Sequence, residues 1–281
     1  MYTYFKLIKD NEKKALDNNM EIGAIKWMFL YSDFKINYYQ LKEKADEKIV
    51  EKFNKMVDDY VYKKIPPQYI LNKAGFFNYD FYVDENVFIP RPETEQLVEE
   101  TIYRIDNIFS NKEINICDLC CGSGAIGITL KKEIENCHVC LCDISEKALQ
   151  IVEKNAKNLN ADVEILQGDF IKPLLDKNKK YEVLVCNPPY IKNQEKLDEI
   201  VVNHEPNIAL FGGQDGLDFY KVLFANYDKL VTLDGFMALE FGYDQKEALT
   251  KLIKDILPNK RYEFLKDFAS LDRMLFIYSN K

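Results

Sequence analysis

Two periodicities divide the chain. From Phe34 to Tyr62 the apolar residues Ile36, Tyr39, Leu41, Ala45, Ile49, Val50, Phe53, Met56, Val57 and Val61 recur mostly at intervals of three and four. That spacing places side chains on one buried helix face, with the intervening charges on the solvated face. Residues 1–72, which contain a single glycine, Gly23, are therefore predicted to form a helical bundle, and Pro66-Pro67 stops the helical run. In 73–90, Gly75-Phe-Phe-Asn-Tyr-Asp-Phe-Tyr-Val-Asp alternates aromatic and polar positions around Asn78, Tyr79 and Asp80. This predicts a hairpin linker. In 91–281, short apolar runs at Ile114 to Leu119, Val139 to Cys142, Val163 to Leu166, Val183 to Cys186 and Phe236 to Phe241 follow one another, the first three separated by helix-like stretches. Such alternation predicts an α/β domain with a mostly parallel sheet and helices on both faces, because parallel neighbours need crossover connections.

Composition narrows the class. The 281 residues, 47% apolar and 30% charged, match ordinary globular usage and suit two unequal domains. No apolar run approaches the roughly 18 residues that span a bilayer. The start, Met-Tyr-Thr-Tyr-Phe-Lys, lacks a basic region followed by an apolar stretch, so no membrane partner and a cytoplasmic location are expected. With 38 Lys plus Arg against 46 Asp plus Glu, the net charge is −8. An acidic chain disfavours phosphate backbones, so no direct nucleic-acid substrate is expected.

Candidate chemistry sits at the ends of the apolar runs. Asp118-Leu-Cys-Cys-Gly-Ser-Gly-Ala-Ile-Gly lies between a strand and a helix, where glycines permit a tight turn and a helix N-terminus offers unpaired N–H groups. Asp143 ends the next run, near the ~20-residue spacing at which an acid takes ribose hydroxyls. Asp169 could accept from an adenine amino group and Phe170 could cover the ring. Together they point to a nucleoside cofactor. The fourth run ends in Asn187-Pro-Pro-Tyr. Pro188 and Pro189 fix the backbone without donating an N–H, leaving the Pro188 carbonyl to accept. With the Asn187 side-chain carbonyl, it can hold both hydrogens of a planar –NH₂ group and aim its nitrogen, while Tyr190 packs on that group's face.

These motifs resemble those of an S-adenosylmethionine-dependent methyltransferase acting on a planar nitrogen. With Pro67-Gln-Tyr-Ile-Leu, Phe88-Ile-Pro-Arg-Pro-Glu-Thr-Glu-Gln-Leu-Val-Glu and Glu205-Pro-Asn-Ile-Ala-Leu-Phe-Gly-Gly-Gln-Asp-Gly-Leu, they resemble the HemK/PrmC family of peptide chain release factor glutamine methyltransferases over residues 65 to 281. The resemblance implies a class I S-adenosylmethionine-dependent methyltransferase fold, Rossmann-like and seven-stranded, with a small N-terminal helical domain. Its last two strands would be Arg261 to Lys266 and Arg273 to Tyr278.

By the same resemblance, the side-chain amide nitrogen of the glutamine in the Gly-Gly-Gln motif of class I release factors is methylated. Asn187, Pro188, Pro189 and Tyr190 would hold that amide. Cys120, Cys121, Gly122, Ser123, Gly124, Asp143, Asp169, Phe170 and Asn187 would contact S-adenosylmethionine. Arg91 to Glu95 would line the pocket entrance, and residues 1–72 would recognise the release factor. The alternative is a DNA adenine amino methyltransferase, since Asn-Pro-Pro-Tyr is shared with such enzymes. Cys120 stands where the family has glycine and Cys121 where a small residue is common, so a left-handed conformation at 120 would be strained.

Two further patterns carry less. Cys117, Cys120, Cys137 and Cys140 have zinc-ribbon spacing, but parallel strands would send Cys117 and Cys140 into packed faces, so no metal is expected. The seven cysteines, an odd number, are expected to be reduced thiols. Gly212-Gly213-Gln214 repeats the substrate tripeptide and is read as a loop before a helix beginning near Asp215.

Overall fold

The computed structural model describes residues 1–110 and 112–279; Asn111, Asn280 and Lys281, which belong to the 91–281 span, lie outside the described residues. The chain forms two compact units, one of residues 1–73 with 198–204 and one of residues 74–197 with 205–281.

In the first unit, α1 (Tyr4–Asp17), α2 (Ile22–Tyr31), α3 (Glu47–Lys63) and α4 (Pro67–Leu71) surround a core of Leu7, Ile25, Met28, Phe29, Phe53 and Val57. Thr3 caps α1 by accepting from the Lys6 N–H, satisfying one of the unpaired donors of a helix start. Buried Asn11 donates to the Leu7 carbonyl and to Asn54 Oδ1, each at 2.9 Å, so its burial leaves no amide hydrogen stranded. The predicted run from Phe34 to Tyr62 is not one helix. Asn37 caps a 3-10 turn at Tyr38–Lys42 reciprocally with Gln40, and Asp46 caps α3 by accepting from the Lys48 and Ile49 N–H groups. Side chains that bond the backbone locally compete with helix continuation, and two of them interrupt it here. Residues 198–204 pack with this unit, the His204 ring lying 3.0 Å from the Lys63 carbonyl.

The second unit opens with the antiparallel hairpin β1 (Ala74–Phe76) and β2 (Tyr79–Phe81). It continues through α5 (Pro92–Phe109), β3 (Ile114–Leu119), α6 (Ala125–Glu133), β4 (Cys137–Asp143), α7 (Glu146–Leu159), β5 (Glu164–Gln167), α8 (Lys172–Asp176) and β6 (Tyr181–Cys186). After α9 (Glu199–His204), which lies in the first unit, come α10 (Asp218–Ala225), α11 (Tyr227–Leu230), β7 (Val231–Glu240), α12 (Lys246–Ile256), β8 (Arg261–Lys266) and β9 (Asp272–Tyr278). The seven-stranded sheet has the order β5-β4-β3-β6-β7-β9-β8. Its first five strands are parallel and β9 runs antiparallel between β7 and β8.

Period-two alternation fills both faces of this sheet. Val139 and Leu141 of β4 join Ile116, Val183 and Val185 in one core with α5, α6 and α7. Cys140 and Cys142 join Cys117, Leu184 and Cys186 in the other, with α10, α11 and α12. Of the four cysteines with zinc-ribbon spacing, Cys137 therefore faces away from Cys117 and Cys140. Among the described residues no group of three or more His, Cys, Asp or Glu could hold a metal, and no helix is long and apolar enough to cross a membrane.

The strand order reverses between β3 and β6: the chain runs outward through β4 and β5, then returns to β6 and β7. In open α/β sheets, ligands bind in the crevice beyond the carboxyl ends of the strands at such a switch point.

Candidate active site

A cleft with about 1220 Å³ of empty space, its open mouth included, lies at that switch point. Four strand ends supply it: Cys120, Cys121, Gly122 and Ser123 after β3, Asp143 at the end of β4, Asp169 and Phe170 after β5, and Asn187, Pro188, Pro189 and Tyr190 after β6. Gly124 stands just outside, where it starts α6 at φ 80°. A Cβ there would lie 3.0–3.3 Å from Ile128, Leu141 and Val152, so close packing and left-handed backbone both require glycine.

The loop after β3 is held from several sides. Asp143 accepts from the Gly122 N–H through Oδ2 and from the Ser145 N–H through Oδ1, each at 2.9 Å. Asn155, fully buried on α7, bonds the Tyr82 N–H (2.7 Å) and carbonyl (3.0 Å) and donates to the Ser123 carbonyl (2.9 Å). Cys120 takes φ 60°, a left-handed conformation that costs a non-glycine residue on the order of 1 kcal/mol. Gly122 also has positive φ, and a Cβ built there meets nothing within 4 Å.

The cleft's charges are acidic. Asp143 and Asp169 line it, and Lys, Arg and His are absent from its described lining. Phe170 meets Phe219 edge to face with ring centroids 4.8 Å apart, which holds an apolar wall beside Asp169.

The Asn187–Tyr190 segment is anchored by Thr94, from the expected pocket-entrance segment, and by Glu240 and Gln245, which the sequence did not single out. Asn187 Nδ2 donates to Thr94 Oγ1 at 3.3 Å, and Thr94 donates to Glu240 Oε2 at 2.6 Å. The Tyr190 hydroxyl donates to Glu240 Oε1 at 3.3 Å, while Gln245 Nε2 donates to the Tyr190 carbonyl at 2.9 Å. Burial raises the Glu240 carboxyl above its ordinary value and, with the neighbouring Glu240 charge, raises the Tyr190 phenol as well. The strap after α9 completes the support: Gly212 N–H donates to the Ile191 carbonyl (2.8 Å) and Ile191 N–H to the Leu210 carbonyl (3.0 Å). Gly212-Gly213-Gln214 is thus a loop against the Asn-Pro-Pro-Tyr backbone, and the helix after it, α10, starts at Asp218 rather than near Asp215.

Of the segment Arg91 to Glu95, Thr94 alone reaches the lining. Arg91 instead pairs with Glu205, which also accepts from the Ile89 N–H at 3.1 Å, and its guanidinium lies over the Phe88 ring, 4.5 Å from the centroid. Pro92 is the first helical residue and Glu93 and Glu95 lie in the first turn of α5, where a fixed φ and negative charge favour the helix start.

Asp118 is a buried structural acid. Its Oδ2 accepts from the Gly127 N–H at 2.8 Å, whereas Oδ1 has no partner. Burial pushes the carboxyl up to about 8 against the opposing pull of the Gly127 N–H. The folded chain then keeps a proton that the unfolded chain releases near 3.8, so Asp118's contribution to stability falls as pH rises from about 4 to about 8. The neutral isostere Asp118→Asn should accordingly raise the melting temperature relative to the parent chain more at about pH 8 than at about pH 5. An equal difference at the two pH values would show that the folded carboxyl is not protonated.

Known proteins resemble this chain in sequence and in fold. Residues 100–204 match the Methyltransferase small domain family. The chain is 36% identical over 247 residues to the release factor glutamine methyltransferase of Bacillus cereus, covering 86% of this chain and 87% of that one. It is 35% identical over 290 residues to that of Bacillus subtilis, covering all of both chains. Among solved structures, the 16S rRNA N2 G1207 methyltransferase of T. thermophilus, in complex with AdoMet and guanosine, superposes with a TM-score of 0.51 at 15% identity, over 74% of this chain and 50% of that one. That likeness extends to the fold. Identity to the Bacillus proteins over most or all of their length, on a sheet whose switch point carries this cleft, places the chain in the release factor glutamine methyltransferase family.

Proposed function

We propose that this chain transfers a methyl group from S-adenosylmethionine to the side-chain amide nitrogen of the glutamine in the Gly-Gly-Gln motif of class I peptide chain release factors. The observation that carries the reading is the convergence of Asn187–Tyr190 with the Cys120–Ser123 loop, Asp143, Asp169 and Phe170 in one cleft. Membership of the family supplies the substrate class.

The residues present fit the cofactor. Gly122 leaves open space where a side chain would begin, and a lining with two carboxylates and no described cation suits a positively charged ligand. Asp143, each oxygen accepting one backbone N–H, keeps lone pairs for ribose hydroxyls. Asp169 would take the adenine amino group, Phe170 the ring, and the 120–124 loop the amino-acid portion. When bound, S-adenosylmethionine supplies an electrophilic methyl group on a sulfonium. Asn187 Oδ1 and the Pro188 carbonyl would accept the two amide hydrogens of the substrate glutamine, and Pro189 would keep their spacing fixed. Tyr190 would pack on the amide plane. An amide nitrogen is a weak nucleophile, so alignment rather than a strong base is what these residues contribute. The extra amide proton can leave to solvent after transfer.

Residues 1–72 would help recognise the release factor, whose docking one glutamine pocket cannot fix. The DNA adenine reading is disfavoured, because a lining without a described Lys or Arg offers nothing to the phosphates of an extruded nucleotide.

Radiolabelled S-adenosylmethionine offered with a purified class I release factor, its Gly-Gly-Gln glutamine-to-alanine variant and duplex DNA should label the first substrate alone. Label on DNA would reverse the choice. Asp143→Ala should weaken cofactor binding roughly 10- to 100-fold through lost charge-assisted hydrogen bonds and leave kcat at saturating cofactor less affected. Calorimetric titration matching the parent chain would remove Asp143 from the cofactor site.

A further inference from the structure

The Asn187 amide has two rotations that differ little in shape and are opposite in function. With Oδ1 toward the substrate it accepts a glutamine amide hydrogen; turned over, it presents Nδ2 and opposes the incoming –NH₂ with another donor. Asn187 does not choose between them alone. Behind it lies Thr94, 4% exposed, and behind Thr94 lies Glu240, 2% exposed. Two hydroxyls approach this carboxylate, Thr94 to Oε2 at 2.6 Å and Tyr190 to Oε1 at 3.3 Å.

Burial favours the protonated acid, but the Thr94 and Tyr190 hydroxyls and the nearby Arg273 charge favour the ionised form, and a carboxylate accepting on both oxygens has no proton to give. The Thr94 hydroxyl must spend its one hydrogen on Glu240, and its oxygen can then only accept from the other side. The group on that side is Asn187, at 3.3 Å. It can meet an accepting oxygen only with Nδ2, which leaves Oδ1 for the substrate. We infer that Thr94 and Glu240 are positioning residues that set the rotation of the Asn187 amide through a one-way hydrogen-bond relay. The same carboxylate binds the Tyr190 hydroxyl and so fixes both ends of the Asn-Pro-Pro-Tyr segment.

This inference rests on the proposed role of Asn187, and its test separates the two. In the full chain, Thr94→Val keeps the side-chain shape but removes the relay's hydroxyl, leaving the Asn187 –NH₂ without its buried acceptor and favouring the inverted rotation. The expected result is a fall in kcat on the release factor of about 10- to 30-fold, with KM and cofactor affinity within about threefold of the parent chain. Thr94→Ser, which restores the hydroxyl, should recover kcat to within about threefold. Thr94→Ala carries the same expectation as Thr94→Val and cannot overpack the site, so the test does not depend on one variant folding. In an Asn187→Ala background, Thr94→Val should add no further loss, because its effect passes through Asn187. Parent-level kcat in Thr94→Val and Thr94→Ala, or losses that multiply with that of Asn187→Ala, would overturn the relay while leaving Asn187 in place. Parent-level kcat in Asn187→Ala itself would instead overturn the role assigned to Asn187, and with it the relay.

Discussion

Asn187→Ala is expected to lower kcat for methyl transfer by on the order of 10²- to 10³-fold with cofactor affinity nearly unchanged. The estimate follows from what the side chain does: it is assigned one of two acceptors that hold a weakly nucleophilic nitrogen in line, and losing a single aligned hydrogen-bonding group in an active site typically costs that much. Alanine also leaves Thr94 Oγ1 without its donor, but Thr94 keeps its bond to Glu240, so the cleft should retain its shape. Single-turnover rates and calorimetry on the same preparation give both quantities. Equal losses in turnover and cofactor binding would mean that Asn187 supports the cleft generally instead of orienting the acceptor.

Gly212→Ala should be almost as damaging from outside the cleft. A Cβ at 212 would stand 2.4 Å from the Pro189 carbonyl oxygen and 2.9 Å from the Tyr190 Cα, both backbone atoms that cannot swing aside. The two hydrogen bonds between this strap and Ile191 hold the chains at that distance. Relief requires the Pro189–Tyr190 backbone to move, and overpacking of this kind costs about 1–3 kcal/mol of stability. A shift approaching 1 Å at the acceptor-holding segment should reduce kcat about 10²-fold. Gly75→Ala is the matched control, because a Cβ there meets nothing within 4 Å, and it should leave melting temperature and kcat unchanged. Parent-level turnover in Gly212→Ala would show that the strap does not set the position of Asn-Pro-Pro-Tyr.

What could be read from the sequence was local. Short apolar runs bounded by Asp143, by Gln167-Gly-Asp and by Asn187-Pro-Pro mark β4, β5 and β6 and their cleft-facing ends, because a buried parallel strand needs little beyond its own residues to be recognised. The N-terminal helices were legible as helices, but capping at Asn37 and Asp46 broke a run that apolar spacing alone carried through. The Asn37…Gln40 pair and Asp46 were the available signals of that break. The support of the site was not legible. Thr94 and Glu240 lie 146 residues apart, and Tyr190 and Gln245 55 apart. No periodicity connects such pairs; only the strand order brings the end of β7 beside the start of α5. The membership of residues 198–204 in the first unit is likewise a product of folding, since their composition does not distinguish them from a loop.

Site-resolved mass spectrometry identifies the acceptor atom. A class I release factor incubated with the chain and S-adenosylmethionine would be digested, and the peptide carrying Gly-Gly-Gln fragmented to locate the added methyl group. One methyl is expected on the side-chain amide nitrogen of that glutamine, absent when Asn187→Ala replaces the parent chain under the same conditions. A methyl on another residue, or an unmodified peptide beside a chain that binds the cofactor, would contradict the proposed function.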